Sequence, residues 1–160
     1  MTVVFDPQSV LDGLMDFQIK TVDRVFQRLY LDEEPATRFL VADDVGLGKT
    51  LVAKGVIARV LHHLQGKVDR VNIVYVCSNA AIARQNVSRL NVVEESGFAL
   101  ASRLTLLPLT VKNLRENPVN FVSFTPNTAF NLRASGGIVE ERQLLFHVLK
   151  QMPNTDTNGI

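Results

Sequence analysis

The feature that most narrows what this chain can fold into is the passage Ala42-Asp43-Asp44-Val45-Gly46-Leu47-Gly48-Lys49-Thr50, set between a short apolar run and a long amphipathic one. The run that leads into it, Arg38-Phe39-Leu40-Val41-Ala42-Asp43, has the length and apolar content of a buried strand. The run that follows repeats apolar residues at Val52, Ala53, Val56, Ile57, Val60, Leu61 and Leu64, the spacing of one helix face over residues 49–64. A strand that turns through glycines into a helix makes an anion site out of its own backbone. The glycines let successive N–H groups face one concave point, and the helix start adds the positive end of its dipole. Lys49 is placed to reach the outer phosphates of a nucleotide and the Thr50 hydroxyl to hold Mg²⁺. Asp44, Val45, Gly46, Leu47, Gly48 and Lys49 are therefore the expected phosphate contacts, with Thr50 as the metal ligand.

The strict phosphate-loop pattern carries a glycine where this chain has Asp43. That substitution speaks against a kinase or a small GTPase. Two other readings are outweighed because strand, glycines, lysine, hydroxyl and apolar helix fall in order. One is an ordinary glycine turn that happens to precede Lys-Thr; the other takes Phe39 to Asp44 as a magnesium-binding strand end.

Around this passage the periodicity predicts a helix over 14–30, with Met15, Ile19, Val22, Val25, Phe26 and Leu29 at helical spacing, and an acidic loop over 31–37 containing Pro35. Gly66 is the expected stop of the helix over 49–64. A strand over 71–77 and a helix over 80–90 follow, so strand and helix alternate as in a mostly parallel sheet with right-handed crossovers. Residues 104–109 and 120–125 read as two further strands, 138–150 as a helix after a Gly136-Gly137 turn, and 153–160 as a polar tail. The expected organisation is one domain over 1–152 and that tail.

Composition excludes several classes. The 160 residues are 46% hydrophobic and 21% charged, enough apolar material for a core. A net charge of +1 is too small for a protein that holds nucleic acid by bulk charge. The single cysteine, Cys77, excludes an internal disulfide framework. No run approaches a membrane span, residues 1–16 do not resemble a signal peptide, and the cytoplasm is the expected location. His62 and His63 fall near a helix end, where a dipole contact or a solvated face is the simpler reading than metal binding.

The passage 42–50 resembles the nucleotide loop of Swi/Snf-type ATPases of helicase superfamily two, written A-D-E-x-G-L-G-K-T, with Asp44 in place of the glutamate; the resemblance is to a bacterial member. In that family the first glycine is absent, so Asp43 fits. Leu14-Met15-Asp16-Phe17-Gln18 resembles the family's upstream glutamine motif, which implies that the Gln18 amide reads the adenine edge; the stretch from there to Lys49 is long for the family. Val74-Tyr75-Val76-Cys77-Ser78-Asn79, with Gln85-Asn86 beyond, is similar to the strand end and helix start that touch the nucleic-acid backbone. Ser78 or Asn79 equally suits a helix N-cap. Asn120-Phe121-Val122-Ser123-Phe124-Thr125 resembles a later strand of the same lobe, with Ser123, Thr125 and Thr128 as possible phosphodiester contacts or an ordinary strand-ending turn.

The resemblance implies an α/β fold, a P-loop NTPase with a RecA-like parallel sheet and flanking helices, incomplete at one edge. It also implies ATP and Mg²⁺ as ligands, nucleic acid (DNA by family) as partner, and a second RecA-like lobe in the same or another chain. Hydrolysis in such motors needs an acidic strand end of the type D-E-x-H. Val92-Val93-Glu94-Glu95 and Ile138-Val139-Glu140-Glu141 each have two apolar residues and no aspartate, so neither qualifies. The expectation is the first part of a helicase-like ATPase lobe, with Lys49 and Thr50 as the catalytic residues present and no turnover by the chain alone. The alternatives are a nucleotide-binding module without turnover, such as a regulatory or degenerate subunit, and another P-loop enzyme.

Overall fold

The computed structural model describes residues 5–93, 97–99, 114–125 and 139–151. The expected strand over 104–109, the Gly136-Gly137 turn, Thr128, Glu94 and Glu95, and the tail over 153–160 lie outside the described residues.

A single turn, α1 (Gln8–Leu11), leads into α2 (Asp16–Phe26). Asp16 in the first turn and Arg24 in the last suit the helix dipole. The helix widens into one π-helical turn at Gln27–Leu31. Arg28 then gathers the acidic loop beneath it, pairing with Asp32 at 3.1 Å and donating to the Glu34 carbonyl at 2.8 Å. The long helix α3 (Lys49–Leu64) has the bounds that its apolar spacing predicts, and Gly66 takes the positive φ of 72° that turns the chain back. Then come β1 (Val71–Val76), α4 (Ala80–Leu90), β2 (Gly97–Ala99), β3 (Val119–Phe124) and α5 (Val139–Gln151). The short β2 has no counterpart in the periodicity.

The three strands form a parallel sheet in the order β1-β3-β2, with Val71 opposite Val119 and Phe98 opposite Phe121. The architecture is mixed α/β. Two small cores share α3. Leu11, Val22 and Val52 pack α1 and α2 against one of its sides. Val87, Leu90 and Phe121 form the other core with Ile57, Ile73, Tyr75 and Val119, tying α3 and α4 to one face of the sheet. On the opposite face of β1, Val74 and Val76 are more than half exposed. Asn120, fully buried, links β1 and β3 by donating to Asn72 Oδ1 at 3.0 Å and also to the Leu114 carbonyl at 2.8 Å.

One expected element is missing. Residues 38–43 form no strand; the chain there is irregular, and Phe39 and Leu40 are 39% and 82% exposed. A strand exists only through a neighbour that accepts and donates along its length. Among the described residues no ladder reaches this segment, and the edge of β1 away from β3 is unpaired.

The first-turn residues Glu140 and Glu141 lie at the start of α5, so that pair belongs to a helix and not to an acidic strand end. Among the described residues, no helix is long and apolar enough to cross a membrane.

Candidate phosphate-binding site

Because α3 returns through residues 65–70 to the start of β1, its first turn lies toward the carboxyl ends of the parallel strands. Leu61 and Leu64 line one cavity with Val71, whereas Ile57, a turn earlier in α3, lines another with Ile73. The loop over 43–50 leads directly into that first turn.

Within the loop Gly46 and Gly48 have φ of 93° and 79°, left-handed conformations that other residues adopt only with strain. Gly48 is the residue that starts α3, and no side chain caps that helix. Its first N–H groups are therefore left to an outside acceptor. Val45 is 98% exposed at the tip. The Lys49 side chain folds back over the loop, and its Nζ donates to the carbonyls of Asp43 at 2.7 Å and Asp44 at 2.8 Å. The ammonium is thus held against neutral carbonyls, partners that an anionic oxygen can replace with a stronger charge-assisted bond. Thr50 is half-buried in the first turn, next to Lys49. Left-handed glycines, an uncapped helix start and a lysine folded onto the loop fit a phosphate group. The Thr50 hydroxyl lies beside Lys49 in that first turn.

Gln18 is not where a base reader would be free to act. It is buried, 4% exposed. Its Oε1 accepts the Met15 N–H at 3.0 Å, completing half of a capping box at the start of α2, and its Nε2 donates to the Leu47 carbonyl at 3.0 Å. The aromatic neighbour Phe17 is 42% exposed.

The expected nucleic-acid contacts divide. Ser78 and Gln85 are exposed, Ser78 at the carboxyl end of β1 and Gln85 on α4. Asn79 spends its side chain as the N-cap of α4, accepting from Ala81 and Ile82 at 2.8 and 3.3 Å. Asn86 donates to the Tyr75 hydroxyl at 2.8 Å, joining α4 to β1. Ser123 and Thr125 are buried, 5% and 7% exposed. Alternation along β3 is a poor guide to exposure, because both faces of that middle strand are covered. His63 packs edge-on to Phe26, beside Tyr30, and His62 meets the Phe5 carbonyl.

A cleft of about 670 Å³ opens at the amino ends of the strands, between Leu61, Leu64, Val71 and Val119, with Asp69 and Glu116 on its wall. Its acids repel phosphate, and no residue of the loop over 43–50 lines it.

No protein-family model, no curated protein and no solved structure matches the chain.

Proposed function

We propose that the chain is the nucleotide-binding part of a helicase-like motor ATPase, with a P-loop NTPase fold of RecA-like type, and that its loop over 43–50 holds the triphosphate of ATP with Mg²⁺. The observation that carries this reading is the pairing of an uncapped α3 start behind two left-handed glycines with Lys49 that, among the described residues, bonds to loop carbonyls alone. Backbone N–H groups of Val45, Gly46, Gly48, Lys49 and Thr50 donate to the phosphate oxygens, Lys49 exchanges its carbonyl partners for the outer phosphates, and Thr50 contributes a hydroxyl to the cation. The bound Mg²⁺ supplies the charge that offsets the triphosphate. Ser78, just past the carboxyl end of β1, and Gln85 on α4 are the exposed polar groups best suited to a nucleic-acid backbone, DNA by the resemblance. Closure of a second lobe over the loop completes the motor.

No acidic strand end of the D-E-x-H type occurs in the 160 residues, so this chain by itself binds nucleotide without turning it over. ATP with Mg²⁺ should protect the amides of 43–50 against hydrogen exchange. Lys49→Ala should abolish most of that protection, since a hydrogen bond to a charged group contributes about 1.5–3 kcal/mol. Equal protection in the variant would overturn the assignment.

A further inference from the structure

Gln18 is a long polar side chain sealed in an otherwise apolar junction, 4% exposed, with one end of its amide on α2 and the other on the loop. The junction is tight by design of the sequence. A Cβ added at Gly55 in α3 would lie 2.7 Å from Val22 Cγ2 and 3.0 Å from Leu14 Cδ1, so only glycine lets α2 approach this closely. The Asp23–Arg59 pair, at 2.8 Å, links the same two helices. That approach carries Gln18 onto the loop: a Cβ at Gly48 would be 2.5 Å from Gln18 Nε2. Gly48 is therefore required twice, for its positive φ and for the space the amide occupies.

The bond to Leu47 has a directional consequence. In a trans peptide the C=O and the following N–H point to opposite sides. With the Leu47 carbonyl drawn inward to Gln18 at 3.0 Å, the Gly48 N–H faces away from the buried amide, toward the open side of the loop. A base reader needs a free donor and acceptor at the edge of a pocket; this amide has both ends engaged inside the protein.

We propose that Gln18 is a positioning residue for the phosphate loop: it takes the Leu47 carbonyl, so turns the Gly48 N–H outward as a phosphate donor, and acts on the polyphosphate whatever base it carries. The inference rests on the phosphate-loop reading above.

Gln18→Glu separates the two ends of the amide. A glutamate keeps the acceptor for the Met15 N–H, the usual capping-box arrangement, but sets a carboxylate against the Leu47 carbonyl in place of a donor. Gln18→Met, similar in shape and without either bond, carries the same comparison if the glutamate variant does not fold. Binding of ATP, GTP and inorganic tripolyphosphate, each with Mg²⁺, is measured on the full chain, together with ligand-free amide exchange. The expected result is a loss of affinity of roughly tenfold, equal for all three ligands, the order of one neutral hydrogen bond. Exchange should be faster at 47–50 without ligand while the amides of the α2 and α3 interiors keep wild-type rates. A loss confined to ATP makes Gln18 a base reader and overturns the proposal, as does unchanged binding of all three. Wild-type protein that binds none of the three overturns the phosphate-loop reading and the proposal with it; wild-type binding beside an unaffected variant overturns the proposal alone.

Discussion

The two flanks of the glycine loop have nearly the same apolar content and opposite fates. On the carboxyl side α3 spans Lys49–Leu64, with Val52, Gly55, Ala58 and Leu61 buried. On the amino side the run over 38–43 joins no ladder among the described residues, and Leu40 is 82% exposed. The difference lies in where each element finds its hydrogen-bond partners. A helix closes its bonds within four residues, so its neighbours need only cover a face, and α2 and α4 do so here. A strand must borrow every partner from another strand. Apolar residues alone raise the gain from pairing without providing the partner.

The same contrast separates two helix starts. The α4 start is satisfied by Asn79 from its own chain. The α3 start is left uncapped behind Gly48. A satisfied start is a structural joint, and an unsatisfied one at the carboxyl end of a parallel sheet is available to a ligand.

Stability measurements test this contrast between the two flanks. The largest effect should come from Leu61→Ala, which removes a side chain 6% exposed on the sheltered flank. Core truncations of this kind cost about 2–5 kcal/mol, read from urea unfolding. A loss well below that range would mean that α3 does not anchor the core. Next comes Gly55→Ala. The added methyl meets Val22 at 2.7 Å, and overpacking of about 1–3 kcal/mol is set against a helix-propensity gain of about 1 kcal/mol. Net destabilisation is expected, and a more stable variant would show that α2 and α3 can move apart at no cost. Asn79→Ala should cost about 1 kcal/mol, with faster exchange confined to the first turn of α4; an effect spread over the sheet would contradict a purely local cap. The smallest change belongs to the open flank. Leu40→Ala should stay within about 0.5 kcal/mol of wild type, as for an exposed site without special contacts. A loss as large as that of Leu61→Ala would show that 38–43 is a paired, buried strand in solution.

Much of the fold is legible along the chain. The bounds of α3 and α4 follow from apolar spacing, and β1 and β3 fall within a residue of where short apolar runs predict them. The loop's two left-handed glycines and the placement of Lys49 follow from the motif itself, because the turn into a helix demands them. These features are local: each is settled by residues a few positions apart.

What the tertiary structure alone decided is non-local. The order β1-β3-β2 and the missing ladder at 38–43 depend on which strands come alongside, a matter of pairing across tens of residues. The burial of Ser123 and of Thr125, just past β3, depends on what covers the faces of the sheet, which the spacing of residues along one strand does not specify. Gln18 is the clearest case. Its helical position is legible in the sequence, and the family resemblance implies an amide that meets a base. Only the close approach of α2 to α3 over Gly55 brings its Nε2 to the carbonyl of Leu47, 29 positions along the chain. An amide carries a donor and an acceptor that serve any partner in reach. The sequence supplies that capacity, and the packing of two helices selects the partner.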